Sequence, residues 1–303
     1  MDSPEWRVHE RLHLPVLLDD VLELLAVRSG GLYVDGTLGR AGHAEAMLER
    51  GARLVGVDRD PDALAESTPR LARFGNAVAL HHARFSAIPS MLGAQRADGV
   101  LLDLGVSSPQ LDRAERGFSF RADGRLDMRM DPSHGEPLSA LLDQLDADAL
   151  ADAIWRYGEE RHSRRVARAI LDARPLRGTL HLAEVIARVV RSEGKIHPAT
   201  RTFQALRILV NGELDELDLA LATLPSVLAP GGRFVVIAFH SLEDSRVKTT
   251  FRALAGIGGP TDVYGHPLTP PQFRLVERRA RKGESDPNPR ARSARVRALE
   301  RLP

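Results

Sequence analysis

Short apolar runs alternate with amphipathic stretches through the first hundred residues. Leu32-Tyr33-Val34-Asp35 is an apolar run that ends in an acid, and a glycine-rich turn follows it. Residues 44–50 read as a helix, and Arg53-Leu54-Val55-Gly56-Val57-Asp58 is a second strand ending in an acid. Asp60-Pro61 supply the cap and first-turn residues of a helix predicted over 61–74. Residues 78–82 form a third predicted strand, and Val100-Leu101-Leu102-Asp103 a fourth, again closed by an acid. This βαβ rhythm predicts an α/β fold with a parallel, doubly wound sheet, whose ligands gather at the carboxyl ends of the strands. Asp35, Asp58 and Asp103 all fall there.

After Asp103 the rhythm breaks. Residues 112–205 hold no convincing strand but several helical stretches, at 137–153, 163–173 and 179–192. Strand character resumes over 232–238, behind the turn Ala229-Pro230-Gly231-Gly232. The expected organisation is therefore an α/β domain (1–111 and 206–303) interrupted by a helical insertion (112–205). The segment 281–297 reads as a polar, arginine-rich tail.

Composition narrows the chemistry. The 303 residues include no cysteine, which removes disulfides, thiolate nucleophiles and cysteine-ligated metals. No run of eighteen apolar residues and no apolar signal core are present, so the expectation is a soluble cytoplasmic protein without a membrane span. The net charge of +1 conceals segregation: 155–210 carries +7 and 271–303 carries +6, leaving −12 elsewhere. Two basic blocks suit an anionic partner such as nucleic acid. Solvated helix faces would give the same count.

Between the first strand and helix lies Asp35-Gly36-Thr37-Leu38-Gly39-Arg40-Ala41-Gly42-His43. Its glycines permit close backbone approach, but their spacing is not the dinucleotide fingerprint. An acid ahead of the glycines would repel a pyrophosphate, and suits a cofactor with a cationic amino group. S-adenosylmethionine has that group, together with a carboxylate for the helix N-terminus. Asp58 stands where a carboxylate can accept ribose hydroxyls. An ordinary tight turn is the competing reading of the glycines. His9-Glu10-Arg11-Leu12-His13 matches a zinc-protease signature, but Pro15 leaves no room for its supporting helix, and no metal is expected.

A third constellation, Asp103-Leu104-Gly105-Val106-Ser107-Ser108-Pro109-Gln110, follows the fourth strand. Beyond it come Arg116-Gly117-Phe118-Ser119-Phe120, Leu126-Asp127-Met128-Arg129-Met130-Asp131, the segment from His197 to Arg207, and Phe239-His240-Ser241-Leu242-Glu243-Asp244. With His13-Leu14-Pro15-Val16-Leu17 and the glycine-rich loop, this ordered set resembles the MraW family of bacterial ribosomal RNA methyltransferases. The resemblance covers nearly the whole chain. It implies a Rossmann-like class I S-adenosylmethionine-dependent methyltransferase domain with an inserted all-helical domain. It also implies methylation of the N4 amine of a cytidine in the decoding region of 16S rRNA, with that RNA met within the small ribosomal subunit.

By position, the resemblance assigns cofactor contacts to Ala41, Gly42, His43, Asp58, Phe85, Asp103 and Gln110, and Asp35 joins them from the loop argument. The loop departs from the family pattern at Ala41, usually glycine, and Arg125 replaces a usual proline. Ser107, Pro109, Arg201, Arg207, His240 and Ser241 are substrate-side candidates. Arg201 and Arg207 suit either phosphate or a structural ion pair. Phe118 and Phe120 could stack an unpaired base or, the preferred reading, fill a core. Without cysteine, thiolate attack on the cytosine ring is excluded, leaving direct methyl transfer governed by positioning and electrostatics. Asp103 is the candidate acceptor for the amine, unless it serves the cofactor alone. A methyltransferase acting on DNA or another acceptor remains the alternative, and the oligomeric state, a homodimer included, stays open.

Overall fold

The computed structural model describes residues 15–191, 196–260, 262, 264 and 267–303. The His9 to His13 motif and the first two residues of the 13–17 segment lie outside them. The described chain divides into two compact units, 1–105 with 215–303, and 106–214. The second begins at Val106 and ends at Leu214, wider than the expected 112–205 insertion at both edges.

The first unit opens with α1 (Leu18–Leu25), followed by β1 (Leu32–Asp35), α2 (Gly42–Glu49), β2 (Arg53–Asp58) and α3 (Pro61–Leu71). Asp60 caps α3 by accepting from the Asp62 amide at 3.0 Å, with Pro61 at the first helical position. Then come β3 (Val78–His82), the short α4 (Ile88–Leu92) and β4 (Ala97–Asp103). The helical unit contributes α5 (Ser108–Asp112), α6 (Leu138–Gln144), α7 (Ala147–Gly158), α8 (Ser163–Asp172), α9 (Thr179–Val189) and α10 (Thr200–Asn211). The chain returns through α11 (Glu213–Thr223), β5 (Leu228–Ala238), α12 (Ser241–Leu254), β6 (Phe273–Leu275), β7 (Arg281–Lys282) and β8 (Arg295–Arg301).

Among the described residues the sheet runs β3-β2-β1-β4-β5-β8-β6, with β7 also on β8. β1 to β5 are mutually parallel, and β8 enters antiparallel beside β5. This order, reversing direction of growth between β1 and β4, is the Rossmann-like arrangement expected of the first unit. Side chains alternate between two buried faces. Tyr33, Leu54, Leu101, Val235 and Ile237 pack with Val21, Leu25 and Met47 on one side. Val34, Val100, Leu102, Phe234 and Val236 pack with Leu217, Leu221, Val247 and Phe251 on the other.

The second unit has its own core. Leu126, Met128, Leu138, Leu150, Ile154, Val166, Ile170, Leu182, Ile186, Phe203 and Leu206 form it. The single helix predicted over 137–153 is two, because Asp146 accepts from the Ala149 amide at 2.8 Å and starts α7 afresh. Phe118 is buried, and Phe120 packs against His197 and edge-on against Phe203, at 4.7 and 4.8 Å between ring centroids. Both aromatics are thus core-side residues. Buried Asn211 ties the unit together: its Oδ1 accepts from the Met130 amide, and its Nδ2 donates to Met128 and Arg207 carbonyls.

The arginine-rich tail is more ordered than its polarity suggests. Val296 and Ala298 face one core and Leu299 the other, so β8 alternates as a buried strand must. Asp244 holds Arg295 and Arg297, while Arg281 reaches Asp20, Glu23 and Glu277. Much of the second basic block is therefore neutralised within the fold.

Candidate active site

Strands β2, β1 and β4 are neighbours, so their terminal residues Asp58, Asp35 and Asp103 stand in one row. Gly36, immediately past β1, has no room for a side chain. A Cβ there would lie 2.6 Å from Leu102 Cδ2 and 3.1 Å from Phe85 Cβ. That glycine lets the loop turn directly over the strand ends, and it seats Phe85 under the turn. Thr37 then bridges two acids: its amide donates to Asp35 Oδ1 at 3.1 Å, and its hydroxyl accepts from the Asp103 amide at 2.6 Å. The Gly39 amide donates to Asp58 Oδ2, and the Asp60 amide to Asp58 Oδ1, each at 2.8 Å.

Gly39 and Ala41 both adopt left-handed backbone conformations, with φ of +51° and +62°. Ala41 is wholly buried and precedes α2. A Cβ is therefore accommodated where the family usually has glycine, at the cost of backbone strain. Gly42 faces Pro15, whose Cγ would lie 2.4 Å from an added Cβ.

His43 resolves its own tautomer. Its Nε2 lies 2.9 Å from the Val16 carbonyl, which can only accept, so Nε2 carries the hydrogen. Burial pushes its pKa down to about 4, leaving the ring neutral. Nδ1 then presents a lone pair, 3.9 Å from Asp103 Oδ2. Burial likewise pushes Asp35 up to about 7, with the Asp58 charge adding to it. Asp58 rises to about 6, again chiefly through burial, although the two amide donors oppose the shift. Asp103 is raised well above the ordinary range by burial, then by Asp35 and Glu243.

Asp103 Oδ1 is buried without a hydrogen-bond partner among the described residues. An orphaned acceptor beside two further carboxyls and an imidazole lone pair calls for a donor, preferably a cation. These residues fit S-adenosylmethionine, which carries both an ammonium and a sulfonium.

Buried Glu243 was not singled out from the sequence. It reaches back from the first turn of α12, accepting from the Phe239 amide at 2.8 Å and the His240 amide at 3.3 Å. Its Oε1 lies 3.2 Å from His240 Nε2. The His-x-x-Glu spacing ahead of a helix was the available signal. His240 and Ser241 sit at the end of β5, beside β4. Thr37 was also missed, since nothing in a lone threonine announces the strand it will bridge.

The remaining candidates belong to the helical unit. Ser107 and Gln110 form a reciprocal cap on α5: the Ser107 amide donates to Gln110 Oε1 at 2.9 Å, and the Gln110 amide to Ser107 Oγ at 3.4 Å. Pro109 occupies the first turn of that helix. Arg201 lies in the first turn of α10. Arg207 forms a bidentate pair with Glu213, both contacts 2.8 Å, so the structural ion-pair reading describes it and the phosphate reading does not.

A family model described as the MraW methylase family matches residues 10–302. The chain belongs to the MraW methylase family. Curated members share its length. It is 49% identical to ribosomal RNA small subunit methyltransferase H of Nitratidesulfovibrio vulgaris, covering 100% of this chain and 98% of that one. It is also 49% identical to the protein of that name from Thioalkalivibrio sulfidiphilus, over 96% and 97% of the two chains. Among solved structures, an rRNA methylase from Streptococcus thermophilus aligns over 100% of this chain and 99% of its own. Its TM-score is 0.39 and its identity 12%. In this MraW methylase the acid row and the glycine-rich loop lie together at the carboxyl ends of the parallel strands.

Proposed function

We propose that this methylase transfers a methyl group from S-adenosylmethionine to the N4 amine of a cytidine in the decoding region of 16S rRNA. The orphaned Asp103 Oδ1 at the end of β4 carries the reading. Full-length similarity to proteins named ribosomal RNA small subunit methyltransferase H supports the acceptor. Among the described residues no helix is long and apolar enough to cross a membrane. The cytoplasm is the proposed site of action.

S-adenosylmethionine supplies an electrophilic methyl on a sulfonium. Asp35 and the neutral His43 would receive the ammonium through their acceptor atoms, and the backbone of the loop through Ala41 and Gly42 would hold the methionine part. Each Asp58 oxygen already accepts one amide, so a second lone pair on each is left for the ribose hydroxyls. Phe85 would contact the adenine. Asp103 Oδ1 would accept a hydrogen bond from the cytidine amine, draw the nitrogen out of conjugation with the ring, and take the proton released as the N–CH3 bond forms and the S–CH3 bond breaks to leave a neutral thioether. A cation beside the row favours the ionised acids, which makes Asp103 an acceptor when it is needed. The family resemblance further proposes Gln110 as a cofactor contact and Ser107, Pro109, Arg201, His240 and Ser241 as substrate contacts.

The test uses isotope-labelled S-adenosylmethionine and small ribosomal subunits from a strain lacking the gene, with RNA digested to nucleosides for mass spectrometry. Label in N4-methylcytidine is the expected result. Label in another nucleoside, in DNA or in protein would replace the acceptor and leave the methylase assignment standing.

A further inference from the structure

Helix α8 has the sequence Ser-Arg-Arg-Val-Ala-Arg-Ala-Ile-Leu-Asp. Its Val166, Ala167 and Ile170 are buried, and it packs against α7 and α9. Arg164, Arg165 and Arg168 occupy its exposed side, and exposed Arg161 stands just ahead of it. Within the helix, spacings of three and four residues bring Arg164, Arg165 and Arg168 onto one face, and Arg161 adds a fourth cation in the turn before it.

Many arginines elsewhere in the fold are held by acids. Arg70 and Arg73 pair with Glu45, Arg129 with Asp127, Arg207 with Glu213, Arg281 with three acids, and Arg295 and Arg297 with Asp244. None of the four on α8 has an ion pair or side-chain hydrogen bond among the described residues. Their order also opposes the helix dipole. No acid stands in the first turn, His162 gives no side-chain cap, and Asp172 closes the helix where a cation would be favoured. Like charges at i,i+4 repel one another as well. Stability of α8 does not explain this arrangement; an anionic partner that neutralises the row does.

We infer that Arg161, Arg164, Arg165 and Arg168 form a docking surface for the phosphodiester backbone of RNA, so that α8 tracks consecutive phosphates of the substrate. This rests on the rRNA reading above and adds the surface that holds the substrate. Guanidinium forks match phosphate oxygens, and the exposed, unpaired state leaves their donors available.

The experiment compares full-length wild type, a triple Arg164→Gln/Arg165→Gln/Arg168→Gln variant and the matching triple Arg→Lys variant. Binding to protein-free 16S rRNA and to small subunits is followed over a salt series. The Gln variant is expected to bind about tenfold more weakly near 0.1 M salt. Its log K against log salt slope should fall by roughly 2, at ~0.7 per phosphate lost. The Lys variant should regain most of the slope. Unchanged melting and cofactor binding by calorimetry would show that the variants fold. Equal affinity and slope in the Gln variant, with wild type still methylating rRNA, would overturn the docking surface alone. A loss on subunits but not on free rRNA would overturn it in favour of an acidic protein partner. Wild type that neither binds nor methylates rRNA would overturn both readings.

Discussion

The strand-end acid row of the first unit and the arginine row of the second both gather side chains of one charge type, in opposite surroundings. Asp35 is 1% exposed, and Asp103 has an orphaned oxygen. There burial itself is the electrostatic device: it raises the acids and makes the row respond strongly to a single small cation. The α8 arginines stand in water, where each contact is weak and screened, so recognition must come from number and spacing. A buried site of few groups is suited to a small cofactor and a reacting atom. An exposed row of like charges is suited to a long polyanion. The two should therefore fail separately.

The largest separation is expected from Asp103→Asn. Turnover should fall about 10²–10³-fold, the scale of losing one preorganised electrostatic group, while RNA binding stays intact. Single-turnover methyl transfer and a binding assay on the same preparation check it; near wild-type turnover would show that Asp103 serves only the cofactor.

On the opposite side, Asn211→Ala strands the Met130 amide and the Met128 carbonyl inside the helical unit. This should cost that unit about 2–4 kcal/mol and leave the cofactor affinity of the first unit unchanged. Denaturant unfolding followed by calorimetry measures both. Loss of cofactor binding in this variant would break the separation. Asp58→Ala should weaken cofactor binding by about 10–100-fold through lost charged hydrogen bonds, with no effect on the salt slope for RNA.

Titration distinguishes the regions more finely. Asp35 and Asp58 have pKa values raised to about 7 and about 6, so the cation-binding ionised forms are depleted as pH falls from 7 to 5. Cofactor affinity should drop across that window, and binding near pH 6.5 should release protons, measurable as buffer-dependent heats. The sign for folding is opposite to that of a paired acid. An unfolded Asp loses its proton near pH 4, whereas folded Asp35 keeps it until about 7. Its burial therefore lowers stability progressively as pH rises from 4 to 7. Asp35→Asn should gain stability over wild type at pH 8 and gain none at pH 4. The smallest effect is expected at Ala41. Replacing it by glycine relieves the φ of +62° and should stabilise the protein by about 0.5–1 kcal/mol in thermal melts, without changing either binding surface.

Legibility followed how local each physical cause was. β2 and β3 were readable to their ends because their apolar runs are bounded by turn residues and acids. β8 was hidden, since Arg295, Arg297 and Arg301 dominate its composition; Asp244 pairs with the first two and the Leu228 carbonyl accepts from the third. The break before α7 was missed because a helical apolar pattern runs through it, and the decisive Asp146 cap is a single side chain. At the site, the three strand-end acids were visible from chain order, whereas Thr37 and Glu243 act through partners distant in sequence or across a helix turn.

By itself the sequence determined the chemistry available: no thiol, three acids ending strands, a loop that glycine lets close over them, and an excess of arginine in two blocks. Tertiary structure alone decided which charges were spent. Arg207, Arg281, Arg295 and Arg297 found acids, while Arg164, Arg165 and Arg168 did not, and Asp103 kept one buried oxygen unanswered. The physical reason is that residue type sets the charge, but pairing and desolvation depend on neighbours that only folding brings together.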